Sequence, residues 1–411
     1  ARRPARCFTH LASFGEENAF FNSGSSAGFG VRLSYDTTAN RVFVIEAFEG
    51  APALAAGIDR GTEIVAIGTS AGNLQTVSSL MQSGGPRAGV DALRPSTGGT
   101  ARVLRVDTKG ATSDRTVTKA DFELTPISSR YGVKVFDDGG TKVGYVNMRT
   151  FIGTADPALR NAFATFRSQG VTRVIVDLRY NGGGLVSIAE LFGDLLAADK
   201  VGQVFSRTTF RASKASNNET DNFGSQSQAI AATKIAFIGT TGSASASELL
   251  INAFTPYLNA NSGLIGTNTF GKPVGQIALD RAACDDRLRP VAFRTEDAAG
   301  QGDYFTGLAS KVAATCSAGD DFTKPRGDPT EASVRVALRF SRASGNIAMC
   351  VAQSAPGTTN FVTPIKTAYW NHTPMLLVTP QAANKSIGQG GFQEMEQMAL
   401  FRGCVAYQEE V

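Results

Sequence analysis

The stretch VTRVIVDLRYNGGG, residues 171–184, decides the fold. Its first eight residues form an apolar run, as expected of a parallel strand covered on both faces. The glycines after Asn181 then turn the chain into a helix with Leu185, Ile188, Phe192 and Leu195 facing inward. The same grammar repeats on either side. VGYVNM reads as a strand, and Asp156-Pro157 starts a helix by the N-cap and first-position preferences. Leu159, Phe163 and Phe166 lie on one face of that helix, and Gly170 ends it. KIAFIG is the next strand, followed by TGSASASELLINAF (residues 241–254), a serine-rich turn running into a helix, and then the short strand LIGT. Asp328-Pro329 caps a further helix, TEASVRVALRF. This alternation predicts an α/β layered domain. The last ~65 residues read as polar and loop-like.

Upstream of Lys142 the pattern is different. AGFGVRLSY and RVFVIEAF read as strands, GAPALAAGI as a short helix from Pro52 to Gly57, and EIVAIG and TARVLRV as further strands. Gly, Ser and Thr clusters and VDALRP fill the space between them. A small β-rich module therefore covers about Gly28 to Thr118, after a leading segment of 27 polar and small residues.

Composition narrows the function. A 411-residue chain holds about two or three domains. The net charge is only +4, with no run of Lys or Arg, which argues against nucleic acid or an anionic membrane as partner. No apolar run approaches the length of a membrane span. Ala1-Arg2-Arg3-Pro4 leads into mixed polar sequence rather than a secretory signal, although a trimmed mature chain would look the same. Cys7, Cys284, Cys316, Cys350 and Cys404 form no CxxC pair, and His10 and His372 are the only histidines, so a zinc site has few ligands. Two disulfides, Cys284–Cys316 and Cys350–Cys404 with Cys7 left over, and five buried thiols are both open readings. The disulfides would imply work outside the reducing cytoplasm.

Ser243, Ser245 and Ser247 alternate with alanines just before a helix. Such repeats are mostly helix caps. A serine there can also be a nucleophile, because the helix N-terminus offers unpaired N–H groups and positive potential, and small neighbours let a peptide approach. Its base could be histidine, but both histidines lie in marginal segments. Lysine serves when burial keeps its amine neutral. Lys272, in NTFGKPVGQ, sits in an apolar turn where a charge is not needed for solubility. The NGGG turn fits neither GxGxxG nor GxxxxGK[ST], so it suits oxyanion donation better than phosphate binding. Asp177 and Arg179 are candidates for an ion pair that pins the turn.

VDLRYNGGG, GSASASELL and TFGKPVGQ, in that order, together with GYVNMRTF, resemble the C-terminal processing peptidases, or tail-specific proteases. GAPALAAGIDRGTEIVAIG is similar to their PDZ domain. The resemblance spans roughly residues 28–340. It implies an α/β core of the crotonase/ClpP-like layered kind with an inserted small β-rich PDZ-like domain, and a serine endopeptidase acting at protein tails through a Ser-Lys dyad. Ser245 would be the nucleophile and Lys272 the base. Gln276 would hydrogen-bond the lysine, Glu248 would be the nearby carboxylate, and the backbone N–H groups of Ala246 and Gly183, within Gly182–Gly184, would form the oxyanion site. Gly28, Phe29, Gly30 and Val31 would take a substrate's terminal carboxylate and extend its backbone by β-augmentation. Ser247 is the lesser candidate nucleophile. Lys272 follows Ser245 by 27 residues, a slightly long interval placed in the NANSG loop, and Gly61 is followed by Thr62-Glu63 where relatives have Gly-Asp.

The expected division is an N-terminal segment 1–27, a PDZ-like domain 28–122, a peptidase core 123–345 and an extension 346–411. That extension would be an accessory subdomain or a plug over the site. No cofactor or metal is expected. The expected partners are proteins or peptides with free C-termini, and the expected location is extracytoplasmic, in a bacterial periplasm or cell envelope. The rival readings are an inactive peptide-binding scaffold and acyl-CoA chemistry on a crotonase-like core.

Overall fold

The computed structural model describes residues 8–95, 97–342, 348–351, 356–370, 375–379, 397–403 and 405. These divide into two compact units, 1–338 and 339–411.

The centre of the first unit is a six-stranded sheet. Val133–Asp138 and Thr141–Asn147 form an antiparallel hairpin at one edge. Arg173–Asp177, Lys234–Gly239, Ser262–Gly266 and Ala314–Ser317 then follow in parallel. The VTRVIVDL run is thus an interior parallel strand, and Lys234–Gly239 is buried at all positions. Helices Ala155–Ser168, Val186–Leu196 and Ala246–Leu258 share its core, where Phe163 meets Phe166 and Phe192 edge-on. Each such ring contributes on the order of 1.5–3 kcal/mol by leaving water. The helix expected to start at Asp156 has Thr154 as N-cap with no side-chain cap bond, so Asp156 serves in the first turn, where its charge faces the positive helix end.

The β-rich module is an antiparallel sheet of Val31–Asp36, Arg41–Ala47, Glu63–Gly68, Ala101–Thr108 and Ala111–Thr118, with the short Gln75–Thr76 paired to Glu63–Gly68. Val44, Ile64, Leu104 and Val106 centre its own core. The chain enters and leaves through a ladder that pairs Ser25–Gly28 with Ala120–Glu123. Two elements here depart from the sequence reading. Val77–Ala92 is a helix, kinked at Gly84–Gly85, rather than a loop cluster, and Ala111–Thr118 is a strand.

The leading segment is also structured. His10–Ser13 pairs with Asp286–Arg289, which pairs in turn with Leu279–Arg281, and Phe14–Ser23 is a helix. Arg287 and Arg289 clamp it through Glu17 at 2.8 and 2.6 Å.

The second unit is not the expected loop. Ala348–Val351 and Met375–Val378 pair in parallel, with helices Pro356–Asn360 and Val362–Trp370 between them and Gln397–Phe401 after them. Neither open reading of the cysteines holds among the described residues, which carry free thiols that are not fully buried. Cys284 is an exposed thiol on a hairpin turn, Cys316 a part-buried thiol in the sheet's edge strand, and Cys350 a free thiol. Cys7, Cys404 and His372 lie outside the described residues.

Candidate active site

The turn after Arg173–Asp177 is held by charge. Arg179 pairs with buried Asp177 at 2.7 Å and with Asp320 and Glu331 at 3.0 Å each, and the Tyr145 hydroxyl donates to Asp177 at 2.7 Å. Burial alone would raise the Asp177 carboxyl, but Arg179 outweighs it and holds it below the usual range. The ion pair expected to pin the glycine turn is present.

The three serines separate by environment. The Ser243 hydroxyl donates to the Leu178 carbonyl at 2.6 Å and accepts from the Thr240 amide, while the Ser247 hydroxyl donates to the Asn181 carbonyl at 2.9 Å. Both are fully buried and committed to the turn. Ser245 between them is part-exposed, at the N-terminus of Ala246–Leu258, with φ 56° and ψ −115°. Gly183 packs directly against it. A Cβ there would stand 2.8 Å from the Ser245 Cβ and 3.0 Å from the Ala246 nitrogen, and its φ of 104° suits only glycine. The Gly183 N–H donates to Asn181 Oδ1 at 2.9 Å, a partner that sequence reasoning missed.

Glu248 joins the serine motif to the lysine motif. Its buried carboxylate accepts from the amides of Ser245 (3.1 Å), Gly271 (2.7 Å) and Lys272 (2.8 Å). Ser245 and Lys272 share the same oxygen, so their amide nitrogens stand no more than about 6 Å apart. Burial pushes the Glu248 carboxyl up despite these donors. The Lys272 amine is half-buried and donates to Gln276 Oε1 at 2.9 Å. Burial lowers its pKa, with Glu248 opposing. Gln276 lies in the strand Val274–Gln276. Ser245, Ala246, Gly183, Glu248, Lys272 and Gln276 are therefore one cluster. His10 reaches Gln276 Nε2 at 3.3 Å, at the margin of this cluster.

Gly28, Phe29, Gly30 and Val31 belong to the β-rich module instead. The Phe29 and Gly30 carbonyls accept from Ala53 and Phe48 at 3.0 and 2.9 Å, and Gly30 presses on Ala51, where a Cβ would meet its side chain at 2.0 Å. Val31 opens the strand at one end of the module's sheet.

Sequence reasoning also missed a buried charge cluster joining module and core. Glu46 takes Arg149 at 2.7 Å, Arg326 at 3.1 Å and Arg32 at 3.4 Å, and accepts from the Tyr131 hydroxyl at 2.6 Å. Its members come from distant segments, so no local pattern signals it. Arg60 of the module likewise pairs with Asp320, which also binds Arg179.

Residues 142–286 match peptidase family S41, the family that the three motifs led us to expect. The chloroplastic C-terminal processing peptidase of Tetradesmus obliquus is 30% identical over 279 residues, 63% of this chain and 54% of that protein. A solved Bacteroides fragilis protein assigned to the S41 proteases superposes with a TM-score of 0.62 at 22% identity, over 81% of this chain and 85% of that one, which shows a shared mixed α/β fold. Residues 330–400 match a different family, the N-terminal TPP binding domain of thiamine pyrophosphate enzymes. Sulfoacetaldehyde acetyltransferase of Rhodobacter capsulatus is 74% identical over 72 residues, 18% of this chain and 12% of that enzyme. The chain thus spans about half the length of the peptidase it resembles and a small fraction of the acetyltransferase. From residue 348 on, the described residues form two strands and three short helices, and among the described residues no group of His, Cys, Asp or Glu could hold a metal ion.

Proposed function

We propose that this chain, whose residues 142–286 match peptidase family S41, is a serine endopeptidase that cuts proteins at or near their C-terminal tails. The observation that carries this reading is the Glu248 carboxylate, which accepts from the Ser245 and Lys272 amides at once and so holds nucleophile and base in one cluster. The neutral Lys272 amine takes the Ser245 hydroxyl proton as the oxygen attacks the scissile carbonyl. It returns that proton to the departing amine, and then takes one from the water that releases the acyl group. Gln276 fixes the amine's direction. The Ala246 N–H, at a helix N-terminus, and the Gly183 N–H receive the oxyanion, the latter on leaving Asn181 Oδ1.

In this reading the core (123–345) is crotonase/ClpP-like, the module (28–122) is a PDZ-like domain, and residues 346–411 are an extension. The Gly28–Val31 segment and the open side of Val31–Asp36 receive a free C-terminus by strand addition. The extracytoplasmic location belongs to the same reading and rests on the resemblance alone, since the described thiols are free. The test is digestion of an unstructured protein carrying varied C-terminal residues, with product masses read for wild type, Ser245→Ala and Lys272→Ala. Cleavage that persists in either variant refutes the mechanism.

A further inference from the structure

We propose that Phe8, just ahead of the first strand, is a positioning residue for the base: its ring keeps water from the Lys272 amine and its carbonyl sets the direction of the Gln276 amide. This inference rests on Lys272 acting as the base. The Phe8 ring centroid lies 5.5 Å from Lys272 Nζ and 6.0 Å from the Phe270 ring, in the residues that precede the lysine. The Gln276 Nε2 donates to the Phe8 carbonyl at 2.6 Å and to the Arg289 carbonyl at 3.2 Å. An amide nitrogen can only donate and an amide oxygen can only accept, so two carbonyls on one side force Oε1 toward the lysine. The 2.9 Å bond from Lys272 Nζ to that oxygen follows from this constraint.

Phe8 is itself held in place. The Val291 amide donates to Thr9, His10–Ser13 pairs with Asp286–Arg289, and Glu17 clamps Arg287 and Arg289. A ring beside an ammonium has two opposed effects, since its face attracts the cation while its bulk excludes the water that stabilises it. The amine's lowered pKa agrees with exclusion prevailing. Among the described residues, the other charged or titratable groups near it are Glu248, which favours the charged form, and His10, beyond Gln276.

The test labels the lysines by reductive methylation with 13C-formaldehyde and follows the Lys272 resonance, assigned through Lys272→Arg, against pH. Wild type, Phe8→Ala, Phe8→Gln and Phe8→Leu are compared, and kcat/KM is read over the same range. Phe8→Ala and Phe8→Gln are expected to raise the Lys272 pKa by about one pH unit and to move the activity limb with it. Phe8→Leu, still apolar and bulky, keeps the wild-type value. An unmoved resonance in Ala and Gln, a downward shift, or a Leu variant that behaves like Ala overturns the proposal. The resonance reads the amine whether or not the chain turns over, so an inactive wild type would count against the dyad and leave this test standing.

Discussion

Glu46→Gln is expected to cost the first unit about 3 kcal/mol at pH 7. Glu46 is fully buried, and burial alone would raise its pKa. Arg326, Arg32 and Arg149 instead pull it from 4.5 to about 2. A depression of about 2.5 pH units corresponds to about 3 kcal/mol, which agrees with the roughly 3–5 kcal/mol lost when one partner of a buried ion pair is removed. Because the folded pKa is the lower one, this stability is fully present above the unfolded value near 4.5. It is lost as the pH falls toward 2. Urea denaturation followed by circular dichroism, in steps from pH 7 to pH 2.5, should therefore show a wild-type advantage that shrinks below pH 5 to about a quarter of its full size near pH 2.5. A glutamine variant as stable as wild type at pH 7, or a gap that does not change with pH, would refute the reasoning.

Three other outcomes follow from the site. The kcat/KM of wild type should climb with pH through a Lys272 limb below the ordinary lysine value of 10.5 and be indifferent to EDTA; a flat profile, or a limb at 10.5, contradicts it. Gly183→Ala should lower kcat by about a hundredfold or more, because the added methyl would meet the Ser245 Cβ at 2.8 Å and displace an oxyanion donor; single-turnover rates, with thermal unfolding as a fold control, check it. Cys284→Ser should remove one fast-reacting thiol from a native titration with Ellman's reagent, whereas a disulfide there would release its partner's thiol and so would not lower the count.

The elements readable in the sequence are those whose environment is uniform along their length. Arg173–Asp177 and Lys234–Gly239 are covered on both faces, so nearly every position is apolar. Val77–Ala92 was hidden because Gly84-Gly85-Pro86 and its serines carry turn signals, while Val77 and Met81, packed on the module's core, sustain the helix. Ala111–Thr118 buries only Val117, so its polar string gave no strand pattern. At the site, Ser245, Glu248, Lys272 and Gln276 were legible because their motifs are local. Asn181 as the Gly183 partner, Phe8 over the lysine and the arginines around Glu46 were not, because each contact depends on how distant segments meet.

The geometry around Ser245 shows what the two flanking serines do. A non-glycine residue at φ 56° and ψ −115° stores about 1–3 kcal/mol of backbone strain. Such strain persists only where neighbours hold it on both sides. Ser243 is tied to Leu178 and Ser247 to Asn181, each by a buried hydroxyl on the turn that carries Gly183, and Glu248 holds the Ser245 amide itself. Each buried bond of this kind contributes about 0.5–1.5 kcal/mol, so together they offset the strain. The outer serines are thus structural, as the commoner reading of such repeats holds. Their effect is to hold Ser245 in this conformation, part-exposed at the N-terminus of Ala246–Leu258.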